Sequence, residues 1–176
     1  TILITFAFYL FFITLRDFII KRFQNSSQTI AHFGFSLLIL SILFNNIFAK
    51  EVITNLKVGE IYQTENFEIK FENLNQKNEK NFKSIVGEFI IKNKKGEVDI
   101  MEPEIRVYNQ PNISTSEADI KTTLLTDKFI TINIVKNHDY LNVRYQTKPF
   151  MLWIWLSVLL ITLGGLTSLL KRKNEN

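Results

Sequence analysis

Two long uncharged blocks decide the fold of this chain. Residues 30–49 read IAHFGFSLLILSILFNNIFA, and residues 150–170 read FMLWIWLSVLLITLGGLTSLL. An α-helix needs roughly 20 apolar residues to cross about 30 Å of hydrocarbon at 1.5 Å per residue. Both blocks are therefore predicted to be transmembrane helices. Trp153 and Trp155 begin the second block and residues 171–173 (KRK) follow it, which is the interfacial pattern typical of a span.

A third uncharged block, Thr1 to Leu15, has only 15 residues. It follows no positively charged stretch and has no small-residue cleavage site, so it is not predicted to be a signal peptide. We expect it to be the end of a truncated transmembrane helix that continues upstream in a larger membrane protein.

The charges beside the blocks predict the orientation in the membrane. Residues 16–29 hold three cations and one acid, and residues 171–176 also hold three cations and one acid. Lys and Arg collect on the cytosolic side of membrane proteins. Both segments are therefore predicted to be cytosolic, and residues 50–149 to lie in the periplasm. The membrane is predicted to be a bacterial inner (plasma) membrane or, with equivalent sides, the mitochondrial inner membrane.

Residues 50–149 change to short alternating stretches, which predict an all-β domain inserted between the last two spans. Phe67, Ile69 and Phe71 alternate with charged residues, as in a half-buried strand. We expect a sandwich or partly open barrel of about seven or eight strands. Further strands are predicted at Phe89–Lys92, Ile105–Tyr108, Phe129–Val135 and Leu141–Tyr145, turns at Val58–Glu60 and Lys94–Glu97, loops at Asn73–Lys83 and Asn112–Glu117, and a capped turn at Ala118–Lys121.

Composition excludes several classes of function. The chain has no cysteine, which rules out a disulfide, a zinc ribbon, a thiolate nucleophile and an iron–sulfur site on it. The net charge of +4 arises outside residues 50–149, because that segment balances 15 cations with 15 acids. Nucleic-acid binding is therefore not expected. Phosphate-binding and nucleophile-elbow motifs are also missing, so no catalytic residue is predicted in this chain.

Two histidines are the main candidates for chemistry. His32 lies in the first turn of the second span, where an ionisable group is a functional candidate by default. Three interpretations remain open from the residues alone: a histidine bonded to a neighbouring helix or water, an axial haem ligand, and an interfacial histidine without a special role. His138 lies in a hydrophilic run and is predicted to be a solvated turn residue.

Small and aromatic residues in the spans suggest secondary roles. Ser36, one turn after His32, is expected on the same face of the helix. Gly34 removes side-chain bulk near His32, so that a helix or a flat cofactor can approach closely. Gly164 and Gly165 are expected to permit tight helix packing. Trp153 and Trp155 are expected to be interfacial anchors, and lining an external cofactor chamber is the alternative.

Four ordered elements resemble a known family. Residues 30–34 (IAHFG) followed by an apolar span resemble the Ala-His-Leu-Gly element of CcmF-type proteins, the large membrane subunit of the cytochrome c haem lyase. Residues 148–165 are similar to the segment that opens the last span of that family. Between them, residues 103–108 (PEIRVY) and 115–118 (TSEA) are similar to its external-domain motifs. The resemblance covers roughly residues 30–172. Phe33, Ile105 and Ser157 depart from the family pattern, and none of them is a ligand.

The resemblance implies a role in cytochrome c maturation. The chain would be part of the haem lyase complex that takes haem from a haem chaperone and attaches it covalently to apocytochrome c, together with other subunits. An internal b-type haem would keep the iron of the substrate haem reduced. His32 matches one axial ligand of that internal haem, and the second ligand is expected upstream of this chain.

Two alternatives remain open. The first is a membrane-anchored β-domain binding or assembly module without haem. The second is the other bacterial cytochrome c synthesis system, which also combines spans with a large external domain. Membrane lipids are expected partners in every case.

Overall fold

The chain folds into two compact units. The computed structural model describes residues 2–20 and 26–175. The helical unit contains α1 (Ile2–Ile19), α2 (Ser26–Phe48) and α3 (Met151–Glu175), together with residues 123–127 and 148–149. The β unit contains residues 50–122 and 128–147. The described residues form ten strands: β1 (Lys50–Leu56), β2 (Ile61–Gln63), β3 (Phe67–Asn78), β4 (Phe82–Asn93), β5 (Val98–Met101), β6 (Glu104–Tyr108), β7 (Ser114–Glu117), β8 (Asp119–Thr122), β9 (Thr126–Ile134) and β10 (Leu141–Pro149).

All three helices are long and apolar enough to cross a membrane. They run past the limits of the uncharged blocks, since α1 continues to Ile19 and the amide of Ile20 still donates to the carbonyl of Arg16 at 2.9 Å. A charged residue ends an apolar block, but it does not interrupt the backbone hydrogen bonds that define a helix. The predicted cytosolic loop is shorter for this reason. Its cations Lys21 and Arg22 lie outside the described residues, as do the side chains of residues 171–176.

Two glycines bring α2 and α3 into close contact. A Cβ atom on Gly164 would lie 2.7 Å from the backbone nitrogen of Ala31 and 2.8 Å from the carbonyl oxygen of Ser27. A Cβ atom on Gly34 would lie 3.0 Å from the backbone nitrogen of Ile161. Only glycine allows the two backbones to approach so closely, as in other membrane helix pairs with small residues at the contact.

The contact between α1 and α2 is aromatic with one buried polar pair. The hydroxyls of Thr14 and Ser36 lie 2.6 Å apart, and Ser36 is fully buried. One hydroxyl donates to the other, and the second donates to a carbonyl of its own helix: Leu10 or Phe11 for Thr14, or Phe33 for Ser36. The ring of Phe33 stacks on that of Phe18 at a centroid distance of 5.0 Å. Interhelical hydrogen bonds of this kind contribute about 0.6 kcal/mol on average.

The β unit is a sandwich of two antiparallel sheets, which confirms the predicted fold class. One sheet has the strand order β1-β10-β9-β8, and the other has the order β2-β3-β4-β6-β7 with β5 paired to β4. A buried core lies between them, and the rings of Phe71 and Phe89 stack at its centre with centroids 4.5 Å apart. The other core residues are aliphatic or sulfur-containing apart from Tyr145: Leu56, Ile69, Ile91, Met101, Ile105, Ile130, Ile132, Leu141 and Val143.

Two loop predictions and one turn prediction were wrong, and the strand count is higher than expected. Residues 73–83, predicted to be a loop, instead extend β3 and β4 into a long hairpin with an irregular register between Phe71 and Asn73. Residues 114–117 form β7, and residues 119–122 form β8 in place of the capped turn. Most side chains of these stretches are exposed, so polar residues are tolerated there. The strands pair through backbone hydrogen bonds, which leave no hydrophobic pattern in the sequence.

The helical unit is held together where α3 begins. The side-chain amide of Asn45 donates to the carbonyl of Pro149 at 2.6 Å, and the ring of Phe150 lies 5.0 Å from that of Phe44. Phe150 has a φ of 62°, a left-handed conformation that is unusual for a bulky residue. The left-handed residue turns the chain from β10 into α3, and the contacts with α2 hold it in this conformation.

Candidate functional site

His32 lies on a face of α2 that neither α1 nor α3 covers. At 3.6 residues per turn, His32, Phe35, Ile39 and Ile42 form one stripe along α2. His32 is exposed, and Phe35 and Ile42 keep 54% and 49% of their surface accessible. We call these four residues the open face of α2. It presents one imidazole at the end of an apolar surface two to three turns long.

The two neighbours suggested by the sequence do not share that face. Ser36 follows His32 by one turn, but it is buried against Thr14 of α1. Gly34 lies on the opposite side of α2, where Leu160 and Ile161 of α3 fill the space in front of it. The approach that Gly34 permits is therefore that of a helix. The imidazole of His32 is left as the polar group of the open face.

The two tryptophans have different surroundings. The indole nitrogen of Trp153 donates to the carbonyl of Leu124 at 2.8 Å, and the ring is partly buried. Trp155 is 66% exposed. Residues two apart on a helix point to different sides, so they cannot act together on one ligand. Trp153 links α3 to the chain segment at residues 123–127, which is part of the same unit.

Gly164 and Gly165 also differ. Gly164 is in contact with the backbone of α2, whereas a Cβ atom on Gly165 would meet nothing within 4 Å. The close packing expected of the pair therefore depends on the first glycine.

His138 lies in the exposed turn between β9 and β10, as its sequence predicts. Its ring stacks on Tyr140 at a centroid distance of 4.6 Å. The neighbouring Asp139 accepts a hydrogen bond from the ammonium of Lys57 at 2.7 Å, which lowers the pKa of Asp139 and raises that of Lys57. These contacts are those of a solvated turn.

Two motifs that are separate in the sequence lie side by side on β6 and β7. Arg106 pairs with Thr115 in the strand register, forms an ion pair with Glu104, and places its guanidinium 5.1 Å from the centroid of the Phe82 ring. The hydrogen bond to Glu104 raises the pKa of Arg106, with a smaller effect from Tyr108. Glu104 and Arg106 are two residues apart on β6, so their side chains lie on the same face of the sheet.

The second of these motifs also connects the two sheets. The hydroxyl of Ser116 donates to the carbonyl of Ile132 on β9 at 2.7 Å. Ile105, where the family resemblance predicts a basic residue, is buried in the core between the sheets. The departure is consistent with packing, because an aliphatic side chain fills that position.

Within the described ranges, no group of three or more His, Asp or Glu side chains is arranged to hold a metal ion.

The sequence reasoning missed one feature of the helical unit. The sequence predicts no role for residues 122–126 (TTLLT), yet the carbonyls of Leu124 and Leu125 accept hydrogen bonds from Trp153 and Phe150. The run of uncharged residues with two adjacent leucines was the signal available in the sequence.

Comparison with known proteins identifies relatives of both units. The family described as CcmF C-terminal beta-sandwich matches residues 47–149. The cytochrome c-type biogenesis protein CcmF of Haemophilus influenzae is 28% identical over 145 residues, covering 82% of this chain and 22% of that protein. The cytochrome c-type biogenesis protein CycK of Bradyrhizobium diazoefficiens is 24% identical over 144 residues, covering 82% and 22%. The chain thus spans about a fifth of the length of these relatives.

A solved structure shares the fold. The protein titled Cytochrome c Heme Lyase CcmF superimposes with a TM-score of 0.67 over 89% of this chain and 27% of that chain, at 17% identity. The match extends over more of the chain than the sandwich family does.

Proposed function

Because the chain belongs to the CcmF family, we propose that it acts in cytochrome c maturation as part of a haem lyase. In this role the protein receives haem from a haem chaperone and, with other subunits of the maturation complex, attaches it covalently to apocytochrome c. The relatives are named cytochrome c-type biogenesis proteins, which supports the general role. The chemistry of attachment is proposed for the whole assembly and not for this chain alone.

The open face of α2 is the observation that carries the proposed part of this chain. Neutral imidazole is a common axial ligand of haem iron, and His32 presents it from a helix position fixed by packing on two other sides. Phe35, Ile39 and Ile42 supply apolar surface beside it, which suits the porphyrin of a buried haem. We propose that His32 is one axial ligand of an internal b-type haem, with a second imidazole from outside these three helices.

A haem bound there supplies a one-electron reductant, which suits a reaction that needs reduced iron in the substrate haem. The residues of this chain bind and orient it. The close contacts of Gly164 with α2 and of Gly34 with α3 fix these two helices against each other. The Thr14–Ser36 pair fixes α2 against α1. These contacts hold α2 on two sides, and His32 lies on the remaining side, which is the open face.

The proposed function predicts a loss of covalent haem from c-type cytochromes. Cells that lack the protein are expected to accumulate apocytochrome c, and the native gene is expected to restore haem attachment. Haem staining of denaturing gels measures this directly, because only covalently bound haem survives. The level of b-type cytochromes is the control and should not change. Fully haem-loaded c-type cytochromes in cells without the protein would contradict the proposal.

We also propose that the β unit lies on the periplasmic side and that the end of α3 is cytosolic. The three cations in residues 16–29 and in residues 171–176 support this orientation. Single cysteines at Lys80 and Asn174 test it, since the natural chain has no cysteine. Lys80 lies in the exposed connection between β3 and β4. A membrane-impermeant maleimide is expected to label Lys80→Cys in intact cells and to label Asn174→Cys after lysis; the opposite pattern would reverse the topology.

A further inference from the structure

The turn between β8 and β9 carries two strongly exposed leucines. Leu124 and Leu125 keep 71% and 60% of their surface accessible. They lie at the centre of residues 123–126, which we call the leucine turn. This turn belongs to the helical unit, although its neighbours in the sequence belong to the β unit. The turn therefore packs with the membrane helices.

Two hydrogen bonds tie the leucine turn to Trp153 of α3 and to Phe150, the residue before this helix. The indole nitrogen of Trp153 donates to the carbonyl of Leu124 at 2.8 Å, and the amide of Phe150 donates to the carbonyl of Leu125 at 2.8 Å. The apolar span of α3 begins at Met151. The turn is thus bonded to residues on both sides of Met151, the first residue of the apolar span.

The carbonyls of the turn have hydrogen-bond partners inside the protein. Besides the two carbonyls already described, the carbonyl of Thr126 accepts hydrogen bonds from the amide of Thr123 at 3.1 Å and from the hydroxyl of Thr123 at 2.8 Å. The amide of Thr126 donates to the same hydroxyl at 3.0 Å. Non-helical backbone enters the bilayer only when its polar groups are satisfied inside the protein. Three consecutive carbonyls of this turn meet that requirement.

We propose that the leucine turn inserts into the lipid leaflet at the end of the membrane where α3 begins. The leucine side chains lie at the boundary between headgroups and acyl chains, and the two hydrogen bonds to α3 hold them there. The turn is a lipid-contacting anchor of the helical unit in addition to its three spans. Its occupant is lipid and not a protein partner.

The chemistry of the turn favours lipid over protein. Residues 122–126 (TTLLT) have no charge and no aromatic ring. Protein interfaces draw most of their binding energy from Trp, Tyr and Arg, and leucine is under-represented among such residues. Exposed apolar surface is also present at the ends of the spans, at Ile47 and Phe48 of α2 and at Leu152 of α3. That surface is the one a bilayer covers.

A spin label at Leu124 tests this proposal with the full chain in phosphatidylcholine nanodiscs. Leu124→Cys is the test variant and Ile113→Cys is the matched control, because Ile113 is an aliphatic residue of the β unit with 51% of its surface exposed. Collision rates of the nitroxide with oxygen and with a water-soluble nickel chelate report whether it lies in lipid or in water. Leu125→Cys repeats the measurement if Leu124→Cys folds poorly, and circular dichroism checks each variant.

The expected result is an oxygen-to-nickel collision ratio several-fold higher at residue 124 than at residue 113. A label about 5–10 Å into the leaflet, at the boundary between headgroups and acyl chains, would give this result. A ratio at residue 124 equal to that at residue 113 would place the turn in water and overturn the proposal. Low collision rates with both reagents would show that protein covers the turn, and would overturn it equally.

Discussion

Replacing His32 with alanine is expected to abolish the b-type haem spectrum of the protein purified from its native membranes. The substitution removes the imidazole from the open face and leaves the packing of α2 intact, since His32 contacts neither α1 nor α3 closely enough to be buried. Loss of an outer partner of a metal ligand already costs about 10–100-fold in affinity. Loss of the ligand itself should cost at least as much. Reduced-minus-oxidised difference spectra measure the result.

His138→Ala is the matched control, because it is the same chemical change at the only other histidine of the chain. His138 lies in an exposed turn, and its removal should leave the haem spectrum unchanged. The pair of variants also separates the haem lyase from a binding module without haem. A normal spectrum in His32→Ala would refute the ligand assignment, and the lack of any b-type signal in the unsubstituted protein would favour the module.

Replacing Gly164 with alanine is expected to destabilise the helical unit by about 1–3 kcal/mol, the usual cost of overpacking. The added Cβ atom would lie 2.7–2.8 Å from backbone atoms of Ala31 and Ser27. Backbone atoms of a helix cannot rotate away as a long side chain can, so α2 and α3 must separate. Unfolding of the full chain in mixed detergent, followed by circular dichroism, measures the change in free energy.

Gly165→Ala is the control for that experiment. Its Cβ atom would meet nothing within 4 Å, and alanine is favoured over glycine in a helix by up to about 1 kcal/mol. It should therefore be neutral or slightly stabilising. Equal destabilisation by both variants would contradict the contact explanation, because only the Cβ atom at residue 164 would meet backbone atoms of α2.

The spans and the sandwich could be predicted because their patterns depend on burial alone. Two uncharged blocks of about 20 residues match two helices, and the alternation of Phe67, Ile69 and Phe71 matches a strand with one face in the core. The polar hairpin at residues 73–83 could not be predicted in this way. Its strands are stabilised by backbone pairing with exposed side chains on both faces, and such strands carry no hydrophobic period.

The candidate site shows a different limit of the sequence. His32 could be singled out as an ionisable residue in a span, and the resemblance gave it a role. The sequence alone did not reveal which neighbours share its side of the helix, because that depends on where the other helices pack. Ser36 and Gly34 were the expected neighbours, yet α1 covers one and α3 covers the other. The open face with Phe35, Ile39 and Ile42 follows only from those two contacts.

The pairing of β1 with β10 has a consequence for the order of folding. Lys50 pairs with Thr147, so the two ends of the sandwich segment lie next to each other. Without that pairing, contact between α2 and α3 must close a loop of 102 residues, from Ala49 to Phe150. With the β1–β10 pairing formed, the path between the helices is only about six residues long. The entropic cost of closing the loop then falls by about 2.5 kcal/mol. Once the sandwich has folded, it shortens the effective connection between α2 and α3 to the length of a short turn.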